Sequence, residues 1–364
     1  MCGINGIFQL ALGGTNLKDA VSAMNAQLAH RGPDDNGIWI NEAHGLGLGQ
    51  TRLSILDLSS AGHQPMHDNS AKNTIVYNGE VFNYQLLNDK FLKEERFNSH
   101  SDTETILKLY STLGIEMLQH LNGMFAFALW DASKEELILA RDRSGKKPLY
   151  FTEMNGNFSF SSELKSLFSL PWIKKELDEK VLYDFLTFNT VSTPNTMFKG
   201  IYKFKPGHYM VVNKDGIKTY ESFNDLKCRK LNFASEKELE DLVYHKLEES
   251  VRLRMISDVP VGAFLSGGVD SSAIVALMRD NTPNEIKTFT IGFENQPHYN
   301  ELKYADKISK RYNTNHFVKT VTPNDLLDFI PKITDIYDEP QADTTAIPIY
   351  FISQLAKQQD IKVV

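Results

Sequence analysis

The sequence predicts an α+β domain followed by an α/β domain, and three observations carry that reading. At 364 residues the chain is too long for one ordinary core. Its first 165 or so residues are dense in short β-prone runs separated by turn residues, with a few helical patterns between them. Its last third alternates apolar strands with amphipathic helices, which is the pattern of βαβ units around a parallel, doubly wound sheet.

In order along the chain, CGINGIFQL, GIWINEA, GLGLGQTRLSIL, NTIVYNGEVF, MFAFALWD, ELILARDR, PLYFTE and NFSFSSE read as strands. PLYFTE and NFSFSSE flank Asn155-Gly156, a pair suited to a tight hairpin turn. LKDAVSAMNAQLAH and TETILKLYSTLG carry helical spacing. Antiparallel sheets stacked with helices against them account for this mixture. A Pro- and Gly-punctuated stretch with one more hairpin, YMVVNKDGIKTY, reads as a connecting segment. SEKELEDLVYHKLEESVRLRMI is then a long helix leading into the strand VGAFL, after which helix and strand alternate to IKVV. The expected boundaries are residues 2–170 for the first domain, 171–230 for the connection and 231–364 for the second. IKVV looks like the start of a buried strand without the loop that should follow it, so the expectation is a fragment of a longer protein.

Composition bounds the function. Hydrophobic residues make up 41% and charged residues 23%, as in ordinary soluble proteins. A net charge of −7 disfavours nucleic acid as a general partner. No apolar run reaches the roughly 18 residues of a membrane span, and no signal segment opens the chain, so a cytoplasmic protein is expected. The two cysteines, Cys2 and Cys228, make neither a disulfide framework nor a cysteine zinc site. Cys228, in LKCRK, reads as an incidental thiol.

Two stretches carry chemistry on their own terms. Cys2 stands directly behind the initiator methionine. If Met1 is removed, Cys2 bears both a thiol and a free α-amine, and that amine, with an ordinary pKa of about 7.7–8.0, is suited to act as the base for its own side chain. LSGGVDSS, residues 265–272, follows an apolar strand and opens a helix, so backbone N–H groups face a potential phosphate. Gly267 and Gly268 permit close approach, Ser266, Ser271 and Ser272 offer hydroxyls, and Asp270 is a candidate Mg²⁺ ligand. No lysine follows the glycines, so it is not a Walker A loop.

SGGVDSS resembles the pyrophosphate loop of the ATP pyrophosphatase (PP-loop) superfamily, whose members cleave ATP between the α- and β-phosphates to adenylate an acceptor. HRGPDDNG (residues 30–37), TRLSILD (51–57), YNGEVFN (77–83) and SDTE (101–104), behind a Met-Cys-Gly start, resemble class II glutamine amidotransferases, which are N-terminal nucleophile hydrolases. RDRSGKKPLYF (141–151) and FSSELKSL (160–167) resemble the same family, in particular the glutamine-hydrolysing asparagine synthetases, where they help shape the ammonia path. Departures are small: Val81-Phe82 after the NGE triplet, and Ser144 and Lys146 where apolar residues are common.

The resemblance implies the following roles, each of which also makes physical sense. Cys2 attacks the amide carbon of glutamine. Arg52 clamps the substrate carboxylate bidentately, with Leu53 and Ile55 beside it. Glu80 and Asp102 accept from the ammonium. The Asn78 side chain and the Gly79 N–H form an oxyanion hole. ATP is held by Leu265, Ser266, Gly267, Gly268, Val269, Asp270, Ser271 and Ser272, with Ile291 of TFTIGFE bordering the adenine. Asp338, Glu339 and Asp343 of YDEPQADTTAIP are candidates for magnesium, for the acceptor, or for a plain helix terminus. ATP and Mg²⁺ enter as a substrate complex, with no tightly bound cofactor. The partners are glutamine, ATP and aspartate or another carboxylate, for example a sugar acid, and a homodimer is left open. A non-catalytic glutamine- or ATP-binding module is the reading from another class. The family's usual continuation, a glycine- and acid-rich loop and helices bearing a catalytic lysine, is not in the sequence.

Overall fold

In the computed structural model, residues 1–10, 16–224, 231–296 and 300–364 are described. Cys228 lies outside them. The chain divides into two compact units, Met1–Lys227 and Cys228–Val364.

The first unit is built on two six-stranded antiparallel sheets. Its elements are β1 (Gly3–Gln9), α1 (Leu17–Leu28), β2 (Asp35–Asn41), β3 (Leu46–Arg52), β4 (Met66–His67), β5 (Asn73–Val81), α2 (Tyr84–Phe91), α3 (Asp102–Leu113), β6 (Gly123–Asp131), β7 (Glu136–Arg141), β8 (Tyr150–Met154), β9 (Asn157–Ser161), α4 (Leu164–Leu167), α5 (Glu179–Phe188), β10 (Tyr202–Lys203), β11 (His208–Asn213) and β12 (Gly216–Ser222). One sheet runs β10-β8-β9-β1-β3-β2 and the other β12-β11-β7-β6-β5-β4. Strand alternation sorts the side chains into layers. Ile4 and Phe8 of β1, Val76 of β5 and Ala126, Ala128 and Trp130 of β6 join one core cluster between the sheets. Ile75 and Tyr77 of β5 point the other way, into the cluster shared with Ile106 and Leu109 of α3. Ile7 of β1 packs with Val21 and Met24 of α1 and Leu164 of α4. The order of layers is therefore helices, sheet, sheet, helices, the antiparallel sandwich expected of the first domain.

Local sequence explains the elements. The Asn16 side chain caps α1 by accepting from Asp19 N–H at 3.2 Å. Asn155 and Gly156 both take positive φ, 51° and 71°, as a two-residue turn between β8 and β9 requires. The hairpin in the stretch expected to connect the domains is present, but it is part of the first unit: β11 pairs with β7, and β10 pairs with β8. Residues 171–224 thus extend both sheets, because the alternating apolar residues Met210 and Val212 find room in the inter-sheet core.

The second unit contains α6 (Glu236–Arg254), β13 (Ala263–Phe264), α7 (Val269–Asn281), β14 (Lys287–Phe293), α8 (Leu302–Arg311), β15 (Asn315–Val321), α9 (Pro323–Ile336) and α10 (Ala346–Gln358). Its sheet is parallel, in the order β13-β14-β15. Neighbouring residues of β13 serve opposite faces: Ala263 packs with Val251, Val275 and Ala305 of α6, α7 and α8, and Phe264 with Leu355 of α10. Helices thus cover both faces, as the α/β reading expects. Val363 of IKVV bridges Val261 in parallel, and Gly262 N–H donates to the Val363 carbonyl at 2.8 Å. Among the described residues no helix is long and apolar enough to cross a membrane.

Candidate active sites

Cys2 lies one residue ahead of β1, beside the end of β3, where Gly3 faces Thr51. Leu53 N–H donates to Cys2 Sγ at 3.4 Å, and the Cys2 carbonyl accepts from Arg31 Nε at 2.9 Å. Met1 precedes it here, and burial pushes the Met1 α-amine down to about 6. One pocket gathers Cys2, Arg52, Leu53, Ile55, Asn78, Gly79, Glu80 and Asp102, all the residues expected around glutamine. Three separate strand and helix ends deliver them: β3 brings Arg52, β5 brings Asn78, Gly79 and Glu80, and the first turn of α3 brings Asp102.

Asn78 is 1% exposed, and its side-chain nitrogen is buried without a hydrogen-bond partner. A buried amide N–H left open costs stability, and this one belongs to a residue that lines the Cys2 pocket. Asn78-Gly79 is not a turn: both residues lie within β5, opposite Ala126 and Phe125 of β6. A Cβ at Gly79 would stand 2.4 Å from the Met124 carbonyl oxygen and 2.7 Å from Phe125 Cα, so close sheet packing demands the glycine.

Asp102 heads α3 behind its cap Ser101, whose hydroxyl accepts from Thr103 N–H at 3.0 Å. Its Oδ2 accepts from Tyr77 OH at 2.7 Å and from Val81 N–H at 2.8 Å. Burial pushes the carboxyl up to about 6 against those hydrogen bonds. Gln64 joins the same two elements, its Oε1 accepting from Tyr77 N–H at 2.7 Å and its Nε2 donating to Thr103 Oγ1 at 3.2 Å.

Arg52 differs from the expectation of a waiting clamp. Its Nη1 donates to the Ser59 carbonyl at 3.2 Å, and its Nη2 to the carbonyls of Leu56, at 3.2 Å, and Asp57. The loop curls around the guanidinium because the Asp57 carboxylate accepts from Ser59 N–H at 3.1 Å and from His100 N–H at 2.8 Å. A Cβ on Gly62 would stand 2.0 Å from Arg52 Nη2.

Sequence reasoning missed Gln64, Tyr77 and Lys147 in this pocket. Lys147 belongs to RDRSGKKPLYF, and its main chain is fastened there: its N–H donates to Asp142 Oδ2 at 3.0 Å, and its carbonyl accepts from Arg141 Nε at 2.7 Å. Burial lowers the Lys147 pKa, while Cys2 and Glu80 pull it the other way. The signal lay in the motif's two arginines and aspartate, which build a rigid loop from charged residues.

In the second unit, LSGGVDSS joins β13 to α7. Gly267 has φ +82°, and a Cβ there would lie 2.5 Å from Ala305 N of α8, so glycine is required twice over. Ser266 Oγ accepts from Gly268 N–H at 3.2 Å and lies 3.0 Å from Ser271 Oγ. No side chain caps α7. Ser272 Oγ is buried without a partner, and Val269 is 86% exposed at the helix start. Open helix N–H groups and an unused hydroxyl suit a phosphate. Asp270, exposed in the first turn of α7, fits one carboxylate of a Mg²⁺ that keeps its other ligands from phosphate and water. Among the described residues no group of three or more His, Cys, Asp or Glu is placed to hold a metal by itself. Leu265 is held by β14, its N–H donating to the Phe289 carbonyl at 2.8 Å. Ile291 packs toward Val321, Phe329 and Phe351. Asp343 Oδ1 accepts from Thr345 N–H at 2.9 Å ahead of α10, the helix-terminus role that was one of its readings.

Comparison with known proteins gives these two units a class. A family model described as a glutamine amidotransferase domain matches residues 1–223, and one described as asparagine synthase matches residues 242–364. The chain is 37% identical over 382 residues to a putative glutamine-hydrolysing asparagine synthetase 2 of Methanocaldococcus jannaschii, covering 98% of this chain and 72% of that protein. It is 35% identical over 364 residues to the glutamine-hydrolysing asparagine synthetase 1 of Bacillus subtilis, covering 98% of this chain and 56% of that protein. Among solved structures, a glutamine PRPP amidotransferase from B. subtilis aligns with a TM-score of 0.48 and 14% identity, over 90% of this chain and 92% of that one. By the family model over residues 1–223, the first unit is a glutamine amidotransferase domain. The chain belongs to the glutamine-hydrolysing asparagine synthetase family, a family of ligases. It spans little more than half the length of the B. subtilis relative.

Proposed function

We propose that the first unit hydrolyses glutamine at Cys2 and that the protein uses the ammonia, with ATP, to amidate aspartate to asparagine in the cytoplasm. The observation that carries the first half is the buried, unpartnered Asn78 amide in the same pocket as Cys2.

After loss of Met1, the Cys2 α-amine takes the thiol proton, and the thiolate attacks the amide carbon of glutamine. Asn78 Nδ2 and the Gly79 N–H receive the oxyanion. The C–N bond breaks, ammonia leaves with the proton returned by the amine, and water hydrolyses the γ-glutamyl thioester to glutamate. Asp102 and Glu80 hold the substrate ammonium. Arg52 holds its carboxylate once the loop carbonyls give up its Nη donors.

In the second unit, residues 265–272 hold the ATP phosphates through the α7 N-terminus and Ser272, and Asp270 takes part of the Mg²⁺ that accompanies ATP. The aspartate side-chain carboxylate is adenylated with loss of pyrophosphate, and ammonia displaces AMP. Ammonia must travel without meeting water, since protonation removes its lone pair, so a closed passage between the reactions is part of the reading.

The test pairs glutamate release from glutamine with pyrophosphate release from ATP, using aspartate or sugar acids as acceptors, in the longest natural form of the protein. Cys2→Ala abolishes glutamate release and leaves ammonia-dependent amidation intact. Glutamate release surviving Cys2→Ala overturns the first half; pyrophosphate release with a sugar acid but not with aspartate overturns the acceptor.

A further inference from the structure

We propose that Glu163 is a positioning residue for Cys2, acting through Arg31. The inference rests on the reading of Cys2 as the nucleophile and assigns a task to HRGPDDNG and FSSELKSL, which no step above uses.

A nucleophile at the end of a chain has a mechanical problem. Once Met1 is gone, Cys2 has one covalent neighbour, and chain ends fray unless something ties them down. Its side chain makes weak contacts, with Sγ 3.7 Å from the Leu53 carbonyl oxygen and 3.4 Å from Leu53 N. The firm hold is on its carbonyl oxygen, which accepts from Arg31 Nε at 2.9 Å. Arg31 is itself held from the other side: its Nη1 donates to Glu163 Oε1 at 2.7 Å, across 132 residues of sequence. Both side chains are largely shielded, at 8% and 14% exposure. His30 Nε2 lies 3.1 Å and Lys165 Nζ 3.4 Å from the same carboxylate. Burial raises the Glu163 pKa, but the hydrogen bonds from His30 and Arg31 outweigh it and hold the carboxyl down to about 2, so the anion persists at any working pH.

The segment before Glu163 grips the same strand. Ser162 Oγ accepts from Ile4 N–H at 3.0 Å, and Ser162 N–H donates to the Ile4 carbonyl at 2.9 Å. FSSELKSL thus binds residue 4 directly and residue 2 through Arg31, leaving Cys2 at the tip of a clamped strand. Arg31 keeps its orientation because Glu163 balances its charge. A partner that loses its charge leaves the guanidinium buried and uncompensated, free to turn away from the Cys2 carbonyl. Misplacing a reacting group by 1 Å costs on the order of 10²-fold in rate.

The experiment measures glutamine hydrolysis by the full chain with Glu163→Gln, which keeps the shape and removes the charge, with Arg31→Lys, which keeps the charge and removes the Nε donor, and with the double variant. The expected result is a kcat for glutamate release lowered by about 10- to 100-fold with the glutamine KM within about twofold. The double variant should be no worse than the poorer single one, because both act on one contact. The rate of Cys2 alkylation by iodoacetamide should change in parallel with kcat, a readout that a merely structural ion pair would not move. Wild-type kcat and alkylation rate in Glu163→Gln overturn the proposal, as does additive loss in the double variant. If Glu163→Gln does not fold, Arg31→Lys with Glu163 intact decides by the same two measurements. Cys2→Ala is the control that separates the two readings: glutamate release without Cys2 removes the nucleophile itself, whereas a dead Cys2→Ala beside a fully active Glu163→Gln removes only the clamp.

Discussion

The Tyr77 hydroxyl donates to Asp102 Oδ2 at 2.7 Å, and the neighbouring Val81 N–H donates to the same oxygen at 2.8 Å. These two bonds straddle Asn78, Gly79 and Glu80, so the first turn of α3 is fastened to β5 at both ends of the stretch that faces Cys2. The buried hydroxyl of Tyr77, raised well above its usual range chiefly by burial, stays protonated and remains a donor.

The same arrangement sets a pH dependence. Burial pushes Asp102 up to about 6, so the folded protein binds a proton there more tightly than the unfolded chain, and Asp102 costs the fold stability as pH rises through the window from about 4 to 6. Substrate binding runs the opposite way, because an ammonium needs the charged carboxylate. The glutamine KM should be flat above pH 7 and rise about tenfold per unit below pH 6. Tyr77→Phe removes a hydrogen bond that favours the anion, so its break should move to higher pH. A KM flat down to pH 5, measured by glutamate release, would remove Asp102 from the ammonium site.

Asn78→Ala should lower kcat for glutamine hydrolysis by about 10²- to 10³-fold with little change in KM, the pattern of a donor used only in the transition state. Stability should respond differently. Asn78 Nδ2 has no partner in the folded protein, so removing it relieves an open donor, and the thermal midpoint should hold or rise. Loss of stability in step with activity would mean that Asn78 serves the sheet.

The contrast between these residues shows what the sequence made legible. Asn78, Gly79 and Asp102 were singled out because their motifs resemble those of a known family, and the structure brings the three into one pocket with Cys2; residues 265–272 were singled out by a strand, two glycines and a helix start in sequence. Alternation in NTIVYNGEV was enough to place the strand. The Asn78-Gly79 pair read alone suggests a turn, and only its pairing with β6 shows why a glycine belongs in the middle of a strand. Gln64 and the Arg31–Glu163 contact were not legible as site residues, because their partners lie 13 to 132 residues away and no local pattern records a tertiary hydrogen bond; Lys147 is fastened within its own motif, and what the motif did not reveal is that this loop lines the Cys2 pocket. The connecting segment misled for a related reason. Pro and Gly punctuate residues 191–207, but whether a hairpin after such a stretch stands alone or joins a sheet depends on an edge strand, here β7, that local sequence does not reveal.

Gly62 offers a test of the Arg52 cradle. An alanine Cβ would lie 2.0 Å from Nη2 and 2.9 Å from the Asp57 carbonyl oxygen, so the guanidinium or the loop must move. Overpacking of this kind typically costs about 1–3 kcal/mol. Gly62→Ala should therefore lower the urea midpoint and raise the glutamine KM together, whereas Gly114→Ala, where a Cβ meets nothing within 4 Å, should affect stability through its positive φ alone and leave KM unchanged. Equal KM values in the two variants would argue that Arg52 does not reach the substrate.

Lys147 should show function and stability in opposition. Its ammonium sits in the Cys2 pocket, where burial lowers its pKa, so the folded state holds that proton less tightly than the unfolded chain does. The sign follows: Lys147 costs stability at neutral pH, and the cost declines as pH rises toward the ordinary lysine range near 10.4. Lys147→Met keeps the stem and removes the charge. It should raise the thermal midpoint at pH 7, flatten the alkaline rise in stability, and lower kcat/KM for glutamine by roughly tenfold, since a cation beside a thiolate and an oxyanion stabilises charge that develops there. Lys147→Arg should retain more activity than Lys147→Met. A destabilised Lys147→Met with unchanged kcat/KM would reverse the assignment, making Lys147 a structural cation for Glu80 and Asp142 and leaving the Cys2 chemistry to the Asn78 amide and the chain's own amine.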